Sequence, residues 1–365
     1  MDNNKPLSAI VVGASLAGLM TGLSLAHSGV SVTILEKTSA TPRSGASLRV
    51  DPARPDSSES AEFLRSIVTK RRGTVEAWST VQARLRKQID KESNIQIHFD
   101  TKVIEVGQDN HSAWAITEQG GKYTADLLVG ADGYRSLVRK EVNPEHPVAD
   151  FAGYLLWVDV LPETEIDPKY WPKAGAPLFE SEQRNGFILL SLIIASEEGS
   201  YEVGKRRLGF AMYDNTQNRL LRKQGNVKDN VVQYTLRGKD IPEEVLEQLS
   251  SRAGALWQQP SQAVIQRSIE KKTIVGTPIF EYIPEKLVKG RMVILGDAAH
   301  VMTPMTGSGF NSSLDDASVL AESLRVRKSI EEALTSYEIE RLPISRYMVQ
   351  YGHAFSEQFA GEYAY

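Results

Sequence analysis

Cysteine is absent from all 365 residues of the chain. That absence excludes disulfides, thiolate catalysis and cysteine-ligated zinc, and it fits a reducing compartment. Long apolar runs are absent too: no stretch approaches the length of a membrane span, and glycines break the first apolar segment. The opening residues, Met1 to Pro6, are polar and lack the apolar core of a signal peptide. Net charge is only −4, so composition implies no general attraction to nucleic acid or to membranes. No internal repeat or low-complexity segment is present, and no metal site is expected. These absences lead to the expectation of a soluble cytoplasmic protein, long enough for two domains or one large domain with an insertion.

What is present is concentrated in a few strand-to-turn junctions. Leu7 to Val12 reads as a strand ending in Gly13-Ala-Ser-Leu-Ala-Gly18; Leu19, Leu23, Leu25 and Ala26 then mark one face of a helix, and Val30 to Leu35 a second strand ending at Glu36. This is a βαβ unit in which Gly13 permits a tight turn, Gly18 permits close helix packing, and the helix N-terminus receives a pyrophosphate. Glu36 stands where a carboxylate accepts from an adenosine ribose. The middle glycine of the usual fingerprint is Ser15, whose side chain is small and able to donate to a phosphate but narrows the backbone's approach. Near the other end, Met292 to Leu295 is a short apolar run that stops at Gly296-Asp297. Pro304, Gly307 and Gly309 punctuate the loop beyond it, and Asn311 to Arg327 reads as a helix. A carboxylate at a strand's carboxyl end beside free N–H groups suits a polyhydroxylated, anionic cofactor. A third junction, Leu127-Leu-Val-Gly-Ala-Asp132-Gly133, repeats the strand-to-acid pattern, although Asp132 alone reads equally as a helix cap.

Between these junctions, residues 37–72 are loose and proline-punctuated. Arg43 and Ser44-Gly45-Ala46 read either as phosphate or ribitol contacts or as a solvated loop. Thr80 to Lys91 reads as a helix with Gln82 and Arg84 near its start, and 95–125 as strands including a hairpin. Residues from Phe151 to about Thr273 alternate at strand length and read as an inserted antiparallel sheet with a helix at 242–252. Two further helices, 329–341 and 343–357, are expected at the end of the chain.

Taken in order and spacing, Gly13 to Gly18 with Glu36, Gly130-Ala-Asp-Gly-Tyr-Arg-Ser-Leu-Val-Arg139, and Gly296-Asp-Ala-Ala-His300 through Pro304 to Gly309 resemble the FAD-dependent aromatic hydroxylases, the flavoprotein monooxygenases related to p-hydroxybenzoate hydroxylase. The short chain and the Ala152-Gly153-Tyr154…Trp157 opening of the middle sheet are most similar to the dihydroxypyridine hydroxylases of that family. The resemblance implies an α/β fold: a Rossmann-like FAD-binding domain (1–50, 73–150 and 274–365) carrying an inserted, mainly antiparallel substrate domain (51–72 and 151–273), with C-terminal helices. It implies bound FAD and a transient NADH or NADPH. It also implies a cofactor-binding set of Gly13, Ala14, Ser15, Leu16, Ala17, Gly18, Glu36, Lys37, Arg43, Gln82, Val103, Asp132, Gly133, Asp297, Pro304, Gly307, Ser308, Gly309, Phe310 and Asn311. In that set Asp297 accepts from ribityl or ribose hydroxyls, and the 307–311 backbone faces the N1–C2=O edge of the ring, where reduced flavin is negative. Arg139 supports the helix after Asp132.

The reaction so implied is hydroxylation of a small or polycyclic aromatic or heteroaromatic substrate by O2 through a flavin hydroperoxide, in a monomer or homodimer with no nucleic-acid partner. For a catalytic acid or base the sequence offers His300 and Tyr213, each of which reads as well as an ordinary buried residue. Trp157, Phe187 and Phe210 are candidates for an aromatic pocket wall, and Met302 and Met305 for its border; core packing explains them equally. Two rival readings stand beside this one. One is a flavin oxidoreductase of the same fold that does not hydroxylate. The other is a non-catalytic flavin-binding protein, for which Ser15 and Gln82 would be marks of drift. A NAD-only dehydrogenase leaves the Asp297 loop unexplained.

Overall fold

The computed structural model describes residues 6–41, 47–52, 57–69, 74–196, 198–327 and 329–361, so Arg43 and the Ser44-Gly45-Ala46 run lie outside the described residues. Three strands whose side chains are almost all buried, Ser8–Val12, Leu127–Gly130 and Met292–Ile294, form the centre of a six-stranded sheet. Near-continuous apolar strands of this kind belong in parallel sheets covered on both faces. In space the order is Val288–Lys289, Met292–Ile294, Leu127–Gly130, Ser8–Val12, Ser31–Leu35, Ile95–His98. Every pairing is parallel except the first. The chain leaves Ser8–Val12 to one side for Ser31–Leu35 and later returns to its other side with Leu127–Gly130. That reversal makes the carboxyl end of Ser8–Val12 the switch point at which such sheets bind ligands. Register brings the junctions together: Val12 is level with Leu35 and with Gly130, and Gly130 with Ile294. The turns at Gly13, Glu36, Asp132 and Asp297 therefore share one edge of the sheet. Helices Leu16–His27 and Gly309–Val326 pack against the sheet and each other through Leu19, Leu23, Leu314 and Ala317.

The second sheet is antiparallel throughout, in the order Phe179–Arg184, Phe187–Ile194, Arg207–Asp214, Asp150–Pro162, Val275–Glu281, Leu236–Arg237. Strand alternation sends Trp157, Phe187, Leu189, Phe210 and Met212 to one face, where they share a core with helices Glu243–Leu256 and Ser261–Glu270. The opposite face carries Leu156, Ile188, Tyr213 and Ile279, which pack with Phe355 and Phe359 near the end of the C-terminal helix. A three-stranded sheet, Val103–Gln108, Ala113–Thr117 and Lys122–Ala125, extends the region of the first. No helix among the described residues is long and apolar enough to cross a membrane.

Several expectations need correction. The stretch read as loose contains the strand Ser47–Val50, paired with Thr74–Ala77, and the helix Glu59–Val68, whose start is capped by Ser58 Oγ accepting from the Ala61 N–H at 3.2 Å. That helix buries Ala61, Leu64 and Val68 in the same core as the parallel sheet, not with the antiparallel sheet to which 51–72 were assigned. Its ten residues give too few turns for periodicity to stand out among prolines. The two expected C-terminal helices are one, Ile330–Gly361, with Pro343 inside it. Proline forfeits one backbone hydrogen bond, but Arg341 and the packed residues on either side hold the helix through that turn. Residues Ser261–Glu270, beyond the expected 242–252 helix, form a helix of their own.

Candidate active site

Gly13 leaves the first strand at φ +103°, a left-handed value that a side chain disfavours, and a Cβ there would stand 2.5 Å from the Ala131 carbonyl oxygen. A Cβ at Gly18 would stand 1.9 Å from the Gly13 carbonyl oxygen, so both glycines are demanded by close backbone approach. The first closing helical bond runs from the Leu19 N–H to the Ser15 carbonyl at 2.9 Å, which leaves the N–H groups of Leu16, Ala17 and Gly18 at the helix end. Ser15 is exposed and its hydroxyl does not cap the helix. The Glu36 carboxylate is buried and oriented: it accepts from the Ala14 N–H at 2.8 Å and from the Thr38 N–H and hydroxyl at 2.9 and 2.6 Å. Lys37 is exposed beside it. Val103 is half-buried two residues beyond Thr101, whose N–H donates to the Glu36 carbonyl at 2.8 Å.

The two acidic turns divide their labour. Asp132 spends its carboxylate on the helix that follows, accepting from the Ser136 hydroxyl, the Leu137 N–H at 2.6 Å and the Val138 N–H at 3.3 Å. Burial nonetheless pushes its carboxyl above the ordinary value. Gly133 beside it takes φ +78°. Asp297, by contrast, is exposed at its turn and has no hydrogen-bond partner for its carboxylate among the described residues. The protein around it still withdraws enough solvent to raise its carboxyl, against the opposing pull of His300 and Arg139. Arg139 does more than support its own helix. Its guanidinium donates to the carbonyls of Tyr134, Pro147 at 3.0 Å, Asp297 at 3.3 Å and Ala298 at 3.2 Å, stapling one acidic turn to the other across the sheet edge.

Sequence reasoning missed Asp316, on the Gly309–Val326 helix. Fully buried, it accepts from the Gly296 N–H at 3.0 Å, His300 Nε2 at 2.6 Å and Arg341 Nε at 2.7 Å. Burial alone would raise its carboxyl; His300 and Arg341 more than reverse this and hold it well below the usual carboxylate range. Its neighbours in sequence, Asp315 and the mixed apolar and polar residues of the helix, gave no signal that separates it. His300 is therefore a 1% exposed bracing group, and its Nδ1 reaches no partner among the described residues.

Past the turn, Pro304–Thr306 is a single 3-10 turn capped by Thr303, and Gly307 at φ +61° redirects the chain into the long helix. Ser312 makes the first closing bond there, to the Ser308 carbonyl at 2.9 Å, so the N–H groups of Gly309, Phe310 and Asn311 stand free of helical partners. Asn311's side chain is spent on the strand Ser47–Val50 and its continuation, donating to the Arg49 carbonyl and accepting from the Asp51 N–H, both at 3.0 Å. Gln82, 4% exposed at the start of the Trp78–Ile89 helix, finds no side-chain partner among the described residues. Tyr154 bridges this loop to the C-terminal helix through Thr303 Oγ1 at 2.7 Å and Ser356 Oγ at 3.0 Å. Burial pushes its phenol up to about 12. Tyr213 lies wholly buried beside Tyr154, its hydroxyl has no partner among the described residues, and burial raises its phenol well above the ordinary value. Trp157, Phe187 and Phe210 lie on the helix-covered face of the antiparallel sheet, remote from this loop because strand side chains alternate. Met305 does reach the opposite face of that sheet; Met302 is buried.

Two helix ends whose first N–H groups have no helical partner, two glycines that allow no side chain, a buried and oriented glutamate and a carboxylate unpartnered among the described residues on one parallel-sheet edge define a dinucleotide-binding α/β protein whose second sheet faces the site. The chain belongs to the FAD binding domain family, whose model matches residues 7–54 and 68–351. It is 26% identical over 376 residues to the 2,6-dihydroxypyridine 3-monooxygenase of Paenarthrobacter nicotinovorans, covering 94% of this chain and 88% of that protein. It is 24% identical over 364 residues to an FAD-dependent urate hydroxylase of Klebsiella pneumoniae, covering 92% and 86%. Among solved structures, 2,6-dihydroxypyridine-3-hydroxylase from Arthrobacter nicotinovorans superposes with TM-score 0.77 at 20% identity, over 99% of this chain and 94% of that one. The Klebsiella pneumoniae HpxO complex with FAD and uric acid gives TM-score 0.70 at 21% identity, over 98% and 90%.

Proposed function

We propose that this chain is an FAD-dependent monooxygenase that hydroxylates an aromatic or heteroaromatic substrate using O2 and NADH or NADPH. The observation that carries the reading is the Asp297 carboxylate, exposed and without a hydrogen-bond partner among the described residues, level with the Gly13 turn and followed by the N–H groups of Gly309 to Asn311 that have no helical partner. The named activities of the relatives support it. When bound, FAD supplies hydride acceptance and oxygen activation. In this reading the Gly13 to Gly18 turn holds the pyrophosphate, Glu36 the adenosine ribose and Asp297 the ribityl chain. Gln82 and the N–H groups of 309–311 meet the ring. Asp132 acts on the site only through its helix. Residues 1–150 and 274–365 form the cofactor part and 151–273 the substrate part, whose task is to orient the ring and exclude water. The cysteine-free composition supports a cytoplasmic setting, with the chain as a monomer or homodimer.

Anaerobic mixing with NADH or NADPH in the presence of an aromatic panel is expected to bleach the flavin, and turnover under labelled O2 to add one labelled oxygen to the product. A bleached flavin with unlabelled product would leave a simple reductase. A flavin that resists both nicotinamide cofactors with every panel member would leave a non-catalytic binder.

A further inference from the structure

A cavity of about 210 Å³ opens behind the Asp132 turn, between the helix Leu137–Val142 and the segment Pro147 to Ala149, with Val231 to Gln233 and Phe280 on its other side. Phe280 follows Ile279 on its strand and so points to the opposite sheet face from the one that carries Ile279 and Tyr213. Neither the Gly13 to Gly18 turn nor the loop after Asp297 lines the cavity. Sites for drug-sized ligands run to about 300–1,000 Å³, so this one admits a single substituted ring and is too small for a dinucleotide.

Its charge is one-sided. Arg135, Arg139 and Lys140 reach it and no carboxylate does. Arg139 is 1% exposed, and its guanidinium is bonded to backbone carbonyls, those of Tyr134, Pro147, Asp297 and Ala298, with no carboxylate in ion-pair contact among the described residues. Burial pulls it below its ordinary value, against the opposing fields of Tyr282, Asp132 and Asp297. A buried cation without a paired anion is costly, and an anion beside it would offset that cost. At the rim, Arg135 is exposed and commits one N–H to the Val232 carbonyl at 3.2 Å, while Lys140 has no partner among the described residues. The acids nearby are taken elsewhere: Asp150 lies 3.6 Å from His146 and accepts from Asn230 at 3.2 Å, and Glu141 faces Lys289 at 4.0 Å. The walls are apolar. Tyr134 and Phe280 stack with ring centroids 3.9 Å apart and planes 23° apart, and Pro147, Val148 and Val232 complete the enclosure.

We propose that this cavity is a ligand site separate from the cofactor edge, specific for a single-ring aromatic anion whose ring rests against the Tyr134 and Phe280 stack and whose charge offsets that of Arg139 between Arg135 and Lys140. A neutral ring would leave the buried cation uncompensated, and a cationic one would be repelled. No bond is made or broken at this site, so it stands whether or not the chain hydroxylates.

Equilibrium dialysis of the FAD-loaded full chain with labelled benzoate tests this. Arg135→Glu and Lys140→Glu are each expected to weaken one benzoate site per chain about 5-fold or more. Val148→Trp, which fills the mouth, is expected to remove that site. All three positions are exposed, Val148 by 37%, so flavin is expected to be retained. Benzamide, the same ring without the charge, is expected to compete about 10-fold more weakly than unlabelled benzoate. No benzoate binding in the wild type, a benzoate site untouched by all three substitutions, or equal competition by benzamide overturns the proposal. Displacement of that benzoate by NADH, itself weakened in Lys140→Glu, also overturns it and assigns the cavity to the nicotinamide cofactor.

Discussion

Asp316, which the sequence did not single out, ties three parts of the site to one side chain, because the Gly296 turn, His300 and Arg341 all meet its two oxygens. Removing one partner from a buried charge set costs about 3–5 kcal/mol. Asp316→Asn is therefore expected to lower stability by that order at neutral pH, measured by urea unfolding. The sign of its pH dependence follows from the depressed carboxyl. The contribution is present above the unfolded value, near about 3.9, and is lost as pH falls toward the lower folded value. The wild-type advantage over Asp316→Asn should thus be flat from neutral pH down to mildly acidic pH and shrink only under strong acid. An advantage that fades already near neutrality would remove the ionised carboxylate from the account. Asp297 makes the contrasting case, since its carboxylate has no hydrogen-bond partner among the described residues. Asp297→Ala is expected to leave unfolding of the flavin-free chain within about 0.5 kcal/mol and to lower FAD affinity at least 10-fold, read as flavin retained after desalting. Full retention would take the ribityl role away from it.

At the scale of elements, the C-terminal helix does two jobs from its two ends. Arg341 anchors one part to Asp316, and Ser356 and His353 anchor the other to Glu281 on the antiparallel sheet, with Tyr154 carrying the connection on to Thr303 in the cofactor loop. A hydrogen bond to Glu281, with Glu357 nearby, raises the His353 imidazole above its ordinary value. Its stabilising contribution is complete below the unfolded value, about 6.5, and is lost as pH rises through the higher folded value. Because the His353 side chain is 46% exposed, solvent screening keeps the effect small, below about 1 kcal/mol. The melting-temperature gap between wild type and His353→Gln is expected to be larger at pH 5.5 than at pH 9. A gap that widens with pH would mean that the pair is not holding the helix. Pro343 was a fair reason to expect two helices, but these anchors on both sides of it outweigh one missing N–H.

For the whole molecule, the cofactor site is assembled from turns far apart in sequence, so a ligand that bridges them should couple to folding. At 100 times its dissociation constant, FAD should add about 2.7 kcal/mol of stability. Thermal unfolding is therefore expected to shift upward with FAD concentration, and Asp297→Ala to move that dependence to higher concentration. A melting temperature independent of FAD would show that the bridging contacts do not form. The chain by itself determined the parallel sheet and the position of its ligand edge. Apolar runs that stop at Gly13, Glu36, Asp132 and Asp297 carry both the strand and its end, and these are local signals of periodicity and glycine chemistry. Tertiary structure alone decided which carboxylates are free. Asp132 and Asp297 look alike as sequence, yet one caps a helix and the other reaches open space, because the directions of their neighbours' N–H groups depend on how each helix leaves its strand. It also decided that Asp316 holds the Gly296 turn and that Trp157 and Phe210 face away from the site while Ala211 and Tyr213 face toward it. Alternation separates the faces of a strand, but only packing against helices or against a cofactor loop says which face is which.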